Sequence, residues 1–191
     1  MDVVTLHNMP QNTGWIEVVC GCMYSGKTEE LIRRLRRAQI AKQRVVIAKP
    51  QVDNRYSSNQ IVSHNEQSLP SIVVCNPSEI MDIAKDAQVI GIDEAQFFSH
   101  DIVQVCDELA SLGKRVLVAG LDQDYRGRPF GPVPQLLAIA EYITKTLAIC
   151  MVCGNPADRT QRITDQQELV VVGARGVYEA RCRKCFVPPK E

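Results

Sequence analysis

The segment VIGIDEAQFF, residues 89–98, places two adjacent carboxylates directly after an apolar run. Paired acids at the end of a strand are typical of phosphate chemistry, in which one carboxylate holds a metal ion and the other handles a proton. We therefore predict that Asp93 holds the metal and that Glu94 is the general base. The pair alone leaves two proton donors open: a water molecule, as in an ATPase, or the hydroxyl group of a second substrate.

A phosphate-binding loop precedes the acid pair. The segment GCMYSGKT, residues 21–28, fits the pattern G-x-x-x-x-G-K-[ST] and stands between a predicted strand and a predicted helix. In this P-loop motif, glycines let backbone N–H groups curl around phosphates, the lysine reaches the β- and γ-phosphate oxygens, and the last hydroxyl binds Mg²⁺. The predicted ATP-phosphate site comprises Gly21, Cys22, Met23, Tyr24, Ser25, Gly26, Lys27, Thr28, Asp93 and Gln96.

Within this site, Thr28 and Asp93 are the predicted ligands of the Mg²⁺ that accompanies ATP. Gln96 is interpreted as a residue that orients the substrate or links it to the metal site. The alternative for Gln96 is a purely structural amide.

Two C-x-x-C pairs, CMVC at 150–153 and CRKC at 182–185, follow in the last quarter of the chain. Four thiolates at this spacing satisfy tetrahedral Zn²⁺, and a closed four-cysteine shell is typical of a structural ion. The predicted zinc ligands are Cys150, Cys153, Cys182 and Cys185. The alternative is a redox-active C-x-x-C pair. Residues 154–181 form a loop tied at its base, which is predicted to act as a lid that excludes water; the alternative is a ribbon that only contributes stability.

The composition is that of an ordinary globular protein. The chain has 191 residues, 45% of them apolar and 23% charged, with a net charge of +0. Because a non-specific nucleic-acid binder usually carries a basic excess, we predict no nucleic-acid partner. The basic run RRLRR at 33–37 lies on an amphipathic helical pattern and is interpreted as a solvated helix face.

The chain also lacks the sequence features of membrane and secreted proteins. No stretch approaches the roughly 20 apolar residues of a membrane span, and the N-terminal residues show neither a basic region nor a long apolar core. We therefore expect no membrane partner and a cytoplasmic location. The eight cysteines then fit a reducing compartment better than a disulfide framework.

Short apolar runs alternate with helical patterns as far as about residue 148. This alternation predicts an α/β domain whose mostly parallel sheet is covered by helices on both faces. The predicted strands lie at 15–19, 44–50, 71–76, 89–92, 115–121 and 142–149. The predicted helices lie at 28–42, from Pro77 onward, and from Ser99 to Gly113.

The domain organisation predicted from these elements has three parts. They are an N-terminal tail (1–14), a P-loop nucleotide-binding α/β domain (15–149) and a small zinc-ribbon-like domain (150–191) with an internal strand, ELVVVG. Residues 51–70 form a long polar connection, and connections of that length inside a domain are usually functional or mobile.

The motifs together resemble those of the cellular-type (type II) thymidine kinases, and of their bacterial members in particular. They are GCMYSGKT, DNRYS, SHN, DEAQFF, GLDQDYRGRPFG and the two C-x-x-C pairs, in that order, over about residues 15–186. The resemblance implies a RecA-like P-loop domain with a zinc-anchored lasso loop, assembled as a homotetramer. It also implies transfer of the ATP γ-phosphate to the 5′-hydroxyl of thymidine, and of deoxyuridine, for nucleotide salvage. Inhibition by dTTP is a further expectation from the resemblance.

The resemblance further implies roles for individual residues. Glu94 would take the 5′-hydroxyl proton, and Asp53 and Arg55 of DNRYS match residues that line the phosphoryl-transfer site. An arginine there would neutralise charge on the transferring group, and Lys27 would serve the phosphates. The matches to the base-binding pocket are Met23, Phe97, Leu121, Tyr125 and Tyr178. The matches to the lasso backbone that would bind the edge of the base are Val170, Val171, Val172 and Gly173.

Two observations on the residues bear on the choice between water and a nucleoside. Phe97 and Phe98 directly follow the acid pair and could stack on a planar ring, although both could instead be core residues. The segment RGRPFGP, 126–132, follows the fifth predicted strand, at the end of the sheet where parallel sheets bind ligands. It is therefore interpreted as part of a ligand site, and the alternative is an ordinary exposed basic turn.

The competing hypothesis is a RecA-like ATPase in which Glu94 acts on water and the zinc ribbon grips DNA or a protein. Dependence of ATP turnover on thymidine or on DNA separates the two hypotheses.

Overall fold

The structure is a computed structural model that describes residues 13–51, 60–62, 68–166, 168–169 and 176–189. Its described strands are β1 (Trp15–Cys20), β2 (Val45–Pro50), β3 (Gln60–Val62), β4 (Ser68–Pro70), β5 (Ile72–Val74), β6 (Val89–Ile92), β7 (Arg115–Gly120), β8 (Tyr142–Lys145), β9 (Ala148–Ile149), β10 (Pro156–Ala157), β11 (Arg159–Arg162) and β12 (Tyr178–Arg181). Its described helices are α1 (Lys27–Ile40), α2 (Glu79–Ile83), α3 (Asp101–Ser111) and α4 (Val133–Ile139).

Six strands form a central sheet in the order β5–β2–β6–β7–β1–β8, and every neighbouring pair in it is parallel. The chain crosses from β1 to β2 through α1 and returns toward β8 through α2, α3 and α4. Because such crossovers are right-handed, the reversal of direction puts α1 on one face and the other helices on the opposite face. The predicted α/β architecture with a parallel sheet covered on both faces is therefore confirmed.

Alternating strand residues build a core on each face of the sheet. Val19, Leu117 and Ala119 pack against α1, whereas Val18 and Val118 pack against α3 and α4. Contact with α1 is especially close at Gly91 in β6, where an added Cβ would lie 2.8 Å from a Leu35 methyl carbon. The missing side chain lets the helix that follows the P-loop lie directly over β6.

Some elements differ from those predicted. The polar connection at 51–70 contains the antiparallel hairpin of β3 and β4, whose Ile61 and Leu69 are buried against the α1 side of the core. The strand predicted at 142–149 is divided at Thr146, whose N–H donates to Cys20 O at 2.8 Å, and β9 then pairs with β10 instead. Helix α4 was not predicted. In ELVVVG, Glu168 and Leu169 form a bend, and the remaining residues lie outside the described part of the chain.

No helix in the described part of the chain combines the length and the hydrophobicity that a bilayer span requires.

A buried ion-pair network ties α1 to the sheet. Glu17 in β1, only 5% exposed, accepts hydrogen bonds from Arg115 Nε at 2.6 Å and Arg34 Nη1 at 2.7 Å. Burial raises the pKa of Glu17, but the hydrogen bond and charge of Arg115, with the charge of Arg34, outweigh it and lower this pKa below its ordinary value. The interpretation of RRLRR as a solvated face is correct for Arg33 but wrong for Arg34, whose side chain is mostly buried in this network.

We predict that Glu17→Gln lowers the free energy of unfolding by about 3 kcal/mol at pH 7, because two arginines lose their buried counter-charge. The folded-state pKa of Glu17 is depressed, so its contribution is complete above the unfolded value of 4.5 and is lost as the pH falls through the folded value. The difference between wild type and variant, measured by denaturant unfolding, should therefore shrink in acid.

The matched control is Glu108→Gln on the exposed surface of α3, where the carboxylate accepts a hydrogen bond from Gln104. This variant should change the free energy of unfolding by less than about 0.5 kcal/mol. Equal losses in both variants would contradict the role given to Glu17.

Candidate active site

The P-loop, residues 21–28, joins β1 to α1 in a conformation that depends on its glycines. Gly21 has φ 145°, and a Cβ there would lie 2.2 Å from Thr146 O. Gly26 has φ 84° and is the N-cap of α1. Ser25 Oγ donates to Cys22 O at 2.8 Å and lies 2.9 Å from Thr146 Oγ1. These contacts hold the loop around the N-terminus of α1, where backbone N–H groups and the helix dipole favour an anion.

Lys27 supplies the cation of this loop. Its Nζ donates to Cys22 O at 2.8 Å. Burial lowers the pKa of Lys27, and the negative charges of Glu94 and Asp93 act in the opposite direction. A desolvated ammonium beside a helix N-terminus is suited to binding phosphate oxygens.

The two predicted Mg²⁺ ligands lie next to each other. Thr28 Oγ1 is 3.2 Å from Asp93 Oδ2 and 3.4 Å from Oδ1. Asp93 is buried directly after β6, and its N–H donates to Ala48 O at 3.1 Å. A hydroxyl and a carboxylate are the hard oxygen donors that Mg²⁺ prefers, so the residues present fit this ion.

Glu94 adopts a backbone conformation that is uncommon outside glycine. Its φ of 52° and ψ of 42° lie in the left-handed region, and its N–H donates to Asp93 Oδ1 at 3.0 Å. The Asp93 side chain thus accepts a hydrogen bond from the backbone of the residue that it precedes and stabilises the turn. Non-glycine residues in this region concentrate at functional sites.

Gln96 fixes the orientation of the Glu94 carboxylate. Its Nε2 donates to Glu94 Oε2 at 2.5 Å, and its Oε1 accepts from the N–H of Leu121 at 2.9 Å. Gln96 is 3% exposed and packs closely, since a Cβ on Gly131 would lie 2.5 Å from its carbonyl oxygen. The amide thus connects the predicted base to the end of β7, whereas the predicted contact of Gln96 with ATP stays a prediction.

A mostly apolar hollow lies beside the acid pair. It is lined by Met23, Phe97, Leu121, Gln123, Asp124, Tyr125, Phe130, Thr160, Leu169 and Tyr178. The structure therefore brings together the five residues predicted for the base pocket. The rings of Phe97 and Phe130 meet edge to face at 5.9 Å, whereas Phe98 belongs to the core on the α3 side of the sheet.

Sequence reasoning missed five residues of the hollow, which are Gln123, Asp124, Phe130, Thr160 and Leu169. Phe130 lies within RGRPFGP, but its orientation depends on a turn in which Asp124 Oδ1 accepts from the N–H groups of Arg126 and Arg128, both at 2.9 Å. The two arginines are exposed, while Phe130 is buried. Thr160 belongs to no recognisable motif, yet its Oγ1 accepts from the N–H of Met23 at 3.0 Å.

The four predicted zinc ligands form one cluster, with their sulfur atoms all within 4.8 Å of one another. Burial raises the pKa of Cys150, but backbone hydrogen bonds at Cys182, Val152 and Cys153 outweigh it and lower this pKa to about 6. The pKa of Cys153 is also lowered, chiefly by a backbone hydrogen bond at Asn155. Four adjacent thiols, two of them with a lowered pKa, fit a tetrahedral Zn²⁺ site.

Strands β9 to β12 and the four cysteines form a unit that we call the cysteine lobe. This lobe packs directly on the P-loop, because Cys22 Sγ donates to Ala157 O at 3.3 Å and Met23 bonds Thr160. The lobe therefore supports the P-loop and also lines part of the hollow.

Several predicted residues lie outside the described part of the chain, and their roles stay predictions. They are Asp53, Arg55, Val170, Val171, Val172 and Gly173.

Comparison with known proteins identifies the family. The sequence matches the profile of the family described as "Thymidine kinase" over residues 14–186, which include the P-loop, the acid pair, the hollow and the four cysteines. The thymidine kinase of Rhodothermus sp. (strain ITI 518) is 59% identical over 179 residues, which are 94% of this chain and 84% of that relative. The chain therefore belongs to the thymidine kinase family.

Proposed function

We propose that the protein transfers the γ-phosphate of ATP to the 5′-hydroxyl of thymidine, giving dTMP and ADP, and that it also accepts deoxyuridine. The observation that carries the proposal is the position of Glu94, between the P-loop and the hollow. Gln96 holds its carboxylate and is itself hydrogen-bonded to Leu121, which lines the hollow. This position supports the proposal that Glu94 acts between a nucleotide at the P-loop and a nucleoside in the hollow.

The proposed reaction divides the work among residues of this chain. Glu94 accepts the proton of the 5′-hydroxyl while the 5′-oxygen forms a bond to the γ-phosphorus and the bond from that phosphorus to the β,γ-bridging oxygen breaks. Lys27 and the P-loop N–H groups hold the phosphates in line with the acceptor. Thr28 and Asp93 would hold Mg²⁺, which neutralises phosphate charge. Asp53 and Arg55 are proposed, from the resemblance, to line the same site.

The hollow favours a nucleoside over water as the phosphate acceptor. Phe97 and Tyr125 offer aromatic surface, and Met23 and Leu121 offer apolar surface, at a site where a hydrolase needs only a water. The alternative, a DNA-dependent ATPase, would use the basic run RRLRR on α1 to contact DNA phosphates. Two arginines of this run are already paired with carboxylates, since Arg33 pairs with Glu30 and Arg34 with Glu17.

We propose a cytoplasmic role in nucleotide salvage for DNA synthesis, with dTTP as a feedback inhibitor. All eight cysteines lie in the described part of the chain and are free thiols, which supports a reducing compartment. The proposed homotetramer follows from the resemblance, and exposed Ile143, Leu147 and Ile149 along and after the edge strand β8 are available for subunit contacts.

The proposed activity is tested by comparing wild type with Glu94→Gln for dTMP formation from ATP, Mg²⁺ and thymidine. The amide keeps the shape and the hydrogen bonding but cannot accept the proton, so kcat should fall about 100-fold or more. Dissociation constants for ATP and thymidine, measured by calorimetry, should change little.

Wild type must yield the 5′-monophosphate, identified by mass and by sensitivity to 5′-nucleotidase, or the proposed function is wrong. Glu108→Gln, far from the site on α3, is the matched control and should retain the wild-type kcat. Near wild-type turnover by Glu94→Gln would refute the role given to Glu94.

The structural zinc is tested by metal removal. A chelator should release about one Zn²⁺ per chain and abolish thymidine turnover, since the cysteine lobe supplies Thr160 to the P-loop. Far-UV circular dichroism should still report the central sheet, whose core does not include the cysteines of the cluster. An active protein free of zinc would overturn this proposal.

A further inference from the structure

Arg162, the last residue of β11, carries a deeply buried guanidinium. It is 7% exposed, and no carboxylate of the described residues pairs with it. A buried cation without a counter-ion is strongly unfavourable unless neutral acceptors satisfy it. Arg162 therefore needs a specific set of partners.

Those partners lie on two separate segments of the chain, one at residues 166–169 and the other in β12. Arg162 Nη1 donates to the carbonyl oxygens of Gln166, at 3.0 Å, and Glu168, and Nη2 donates to that of Leu169 at 3.1 Å. Nη2 also donates to the Tyr178 hydroxyl at 2.6 Å. One side chain thus joins the segment that follows β11 to strand β12.

The same guanidinium also reaches the α/β domain. Its Cζ lies 3.6 Å from the centroid of the Tyr125 ring, a distance that indicates stacking of the planar cation on the ring. Leu169, Tyr178 and Tyr125 all line the hollow, whereas Arg162 itself does not. Arg162 therefore contacts three residues of the hollow wall without lining the hollow itself.

We propose that Arg162 is a positioning residue that holds Leu169 and Tyr178 against Tyr125 in the wall of the hollow and thereby sets the affinity for the nucleoside. The inference rests on the proposed function of the hollow as the thymidine site. A lysine cannot replace the arginine, because a single ammonium can neither stack flat on Tyr125 nor donate in one plane to four acceptors. Without the guanidinium, three carbonyls lose their donor, and the nucleoside must itself order Leu169 and Tyr178 in the wall of the hollow.

The main test is the variant Arg162→Lys, assayed with thymidine and ATP varied separately. The KM for thymidine should rise about 10- to 100-fold, as expected for loss of hydrogen bonds to a charged group. The KM for ATP should change less than about twofold, because no hydrogen bond of Arg162 reaches the P-loop. The kcat at saturating thymidine should stay within about threefold of wild type, since the acid pair is untouched.

The matched control is Arg115→Lys, a change of another largely buried arginine at the opposite end of the sheet, where it pairs with Glu17. This variant should leave both KM values unchanged. If Arg162→Lys fails to fold, Tyr178→Phe carries the test, because it removes only the hydroxyl that Arg162 binds. A raised KM for thymidine with an unchanged KM for ATP in that variant supports the proposal.

A measurement without substrate separates this inference from the proposed function. In hydrogen exchange followed by mass spectrometry, peptides that span residues 163–169 should exchange faster in Arg162→Lys than in wild type and in Arg115→Lys. Unchanged exchange together with an unchanged KM for thymidine, or an equal rise in both KM values, overturns the inference. A wild-type protein that does not phosphorylate thymidine overturns the proposed function, while the exchange result still decides whether Arg162 holds the segment that follows β11.

Discussion

The hydrogen bond between the Thr28 hydroxyl and the Asp93 carboxylate joins the two halves of the site, and the remaining geometry depends on it. Thr28 lies in the first turn of the helix after β1, whereas Asp93 follows β6, and β7 lies between these strands. Their side chains meet because the carboxyl ends of parallel strands share one edge of the sheet. The close approach of α1 at Gly91 brings the helix to the required distance. Glu94 is then positioned by its own N–H bond to Asp93.

The cysteine lobe packs on the P-loop and supports its conformation. Its β11 residue Thr160 accepts a hydrogen bond from Met23, and its Ala157 carbonyl accepts one from the thiol of Cys22. Cys22 and Met23, which occupy variable positions of the P-loop pattern, thus contact the lobe directly, and Cys22 is buried in the apolar cluster of the lobe. A metal ion bound by the four cysteines would in this way influence the conformation of the P-loop, although its ligands are far from the P-loop in sequence. The same lobe contains Arg162, so one folded unit contacts both the P-loop and residues of the hollow.

Much of the fold could be predicted from residue types alone. The apolar runs VVIAKP and VIGI form strands, and the alternation of runs with helical patterns indicates a parallel sheet. The β3–β4 hairpin could not be predicted, because only Ile61 and Leu69 of that polar stretch are buried, and they are buried by tertiary contact with the α1 side of the core. The division of the last predicted strand accompanies the pairing of β9 with β10 of the cysteine lobe, a tertiary contact that no local pattern reveals.

The candidate site was predictable where chemistry depends on sequence spacing, as in the P-loop and the cysteine pairs. It was not predictable where ordinary residues acquire a role through burial. Arg162 stands in the polar stretch DRTQR, which resembles any exposed strand, and only the fold shows that its guanidinium is enclosed by carbonyls and tyrosines. Gln96 is similar, because its link to Leu121 depends on the position of β7 relative to β6.

The central claim is that Glu94 activates a nucleoside hydroxyl and not water, and the most direct test is the ratio of dTMP formed to ATP consumed. We predict one dTMP per ATP with thymidine, and only slow ATP loss without nucleoside, with 5′-deoxythymidine, which lacks the 5′-hydroxyl, or with DNA. Release of inorganic phosphate at a comparable rate in any of these three controls would contradict the claim.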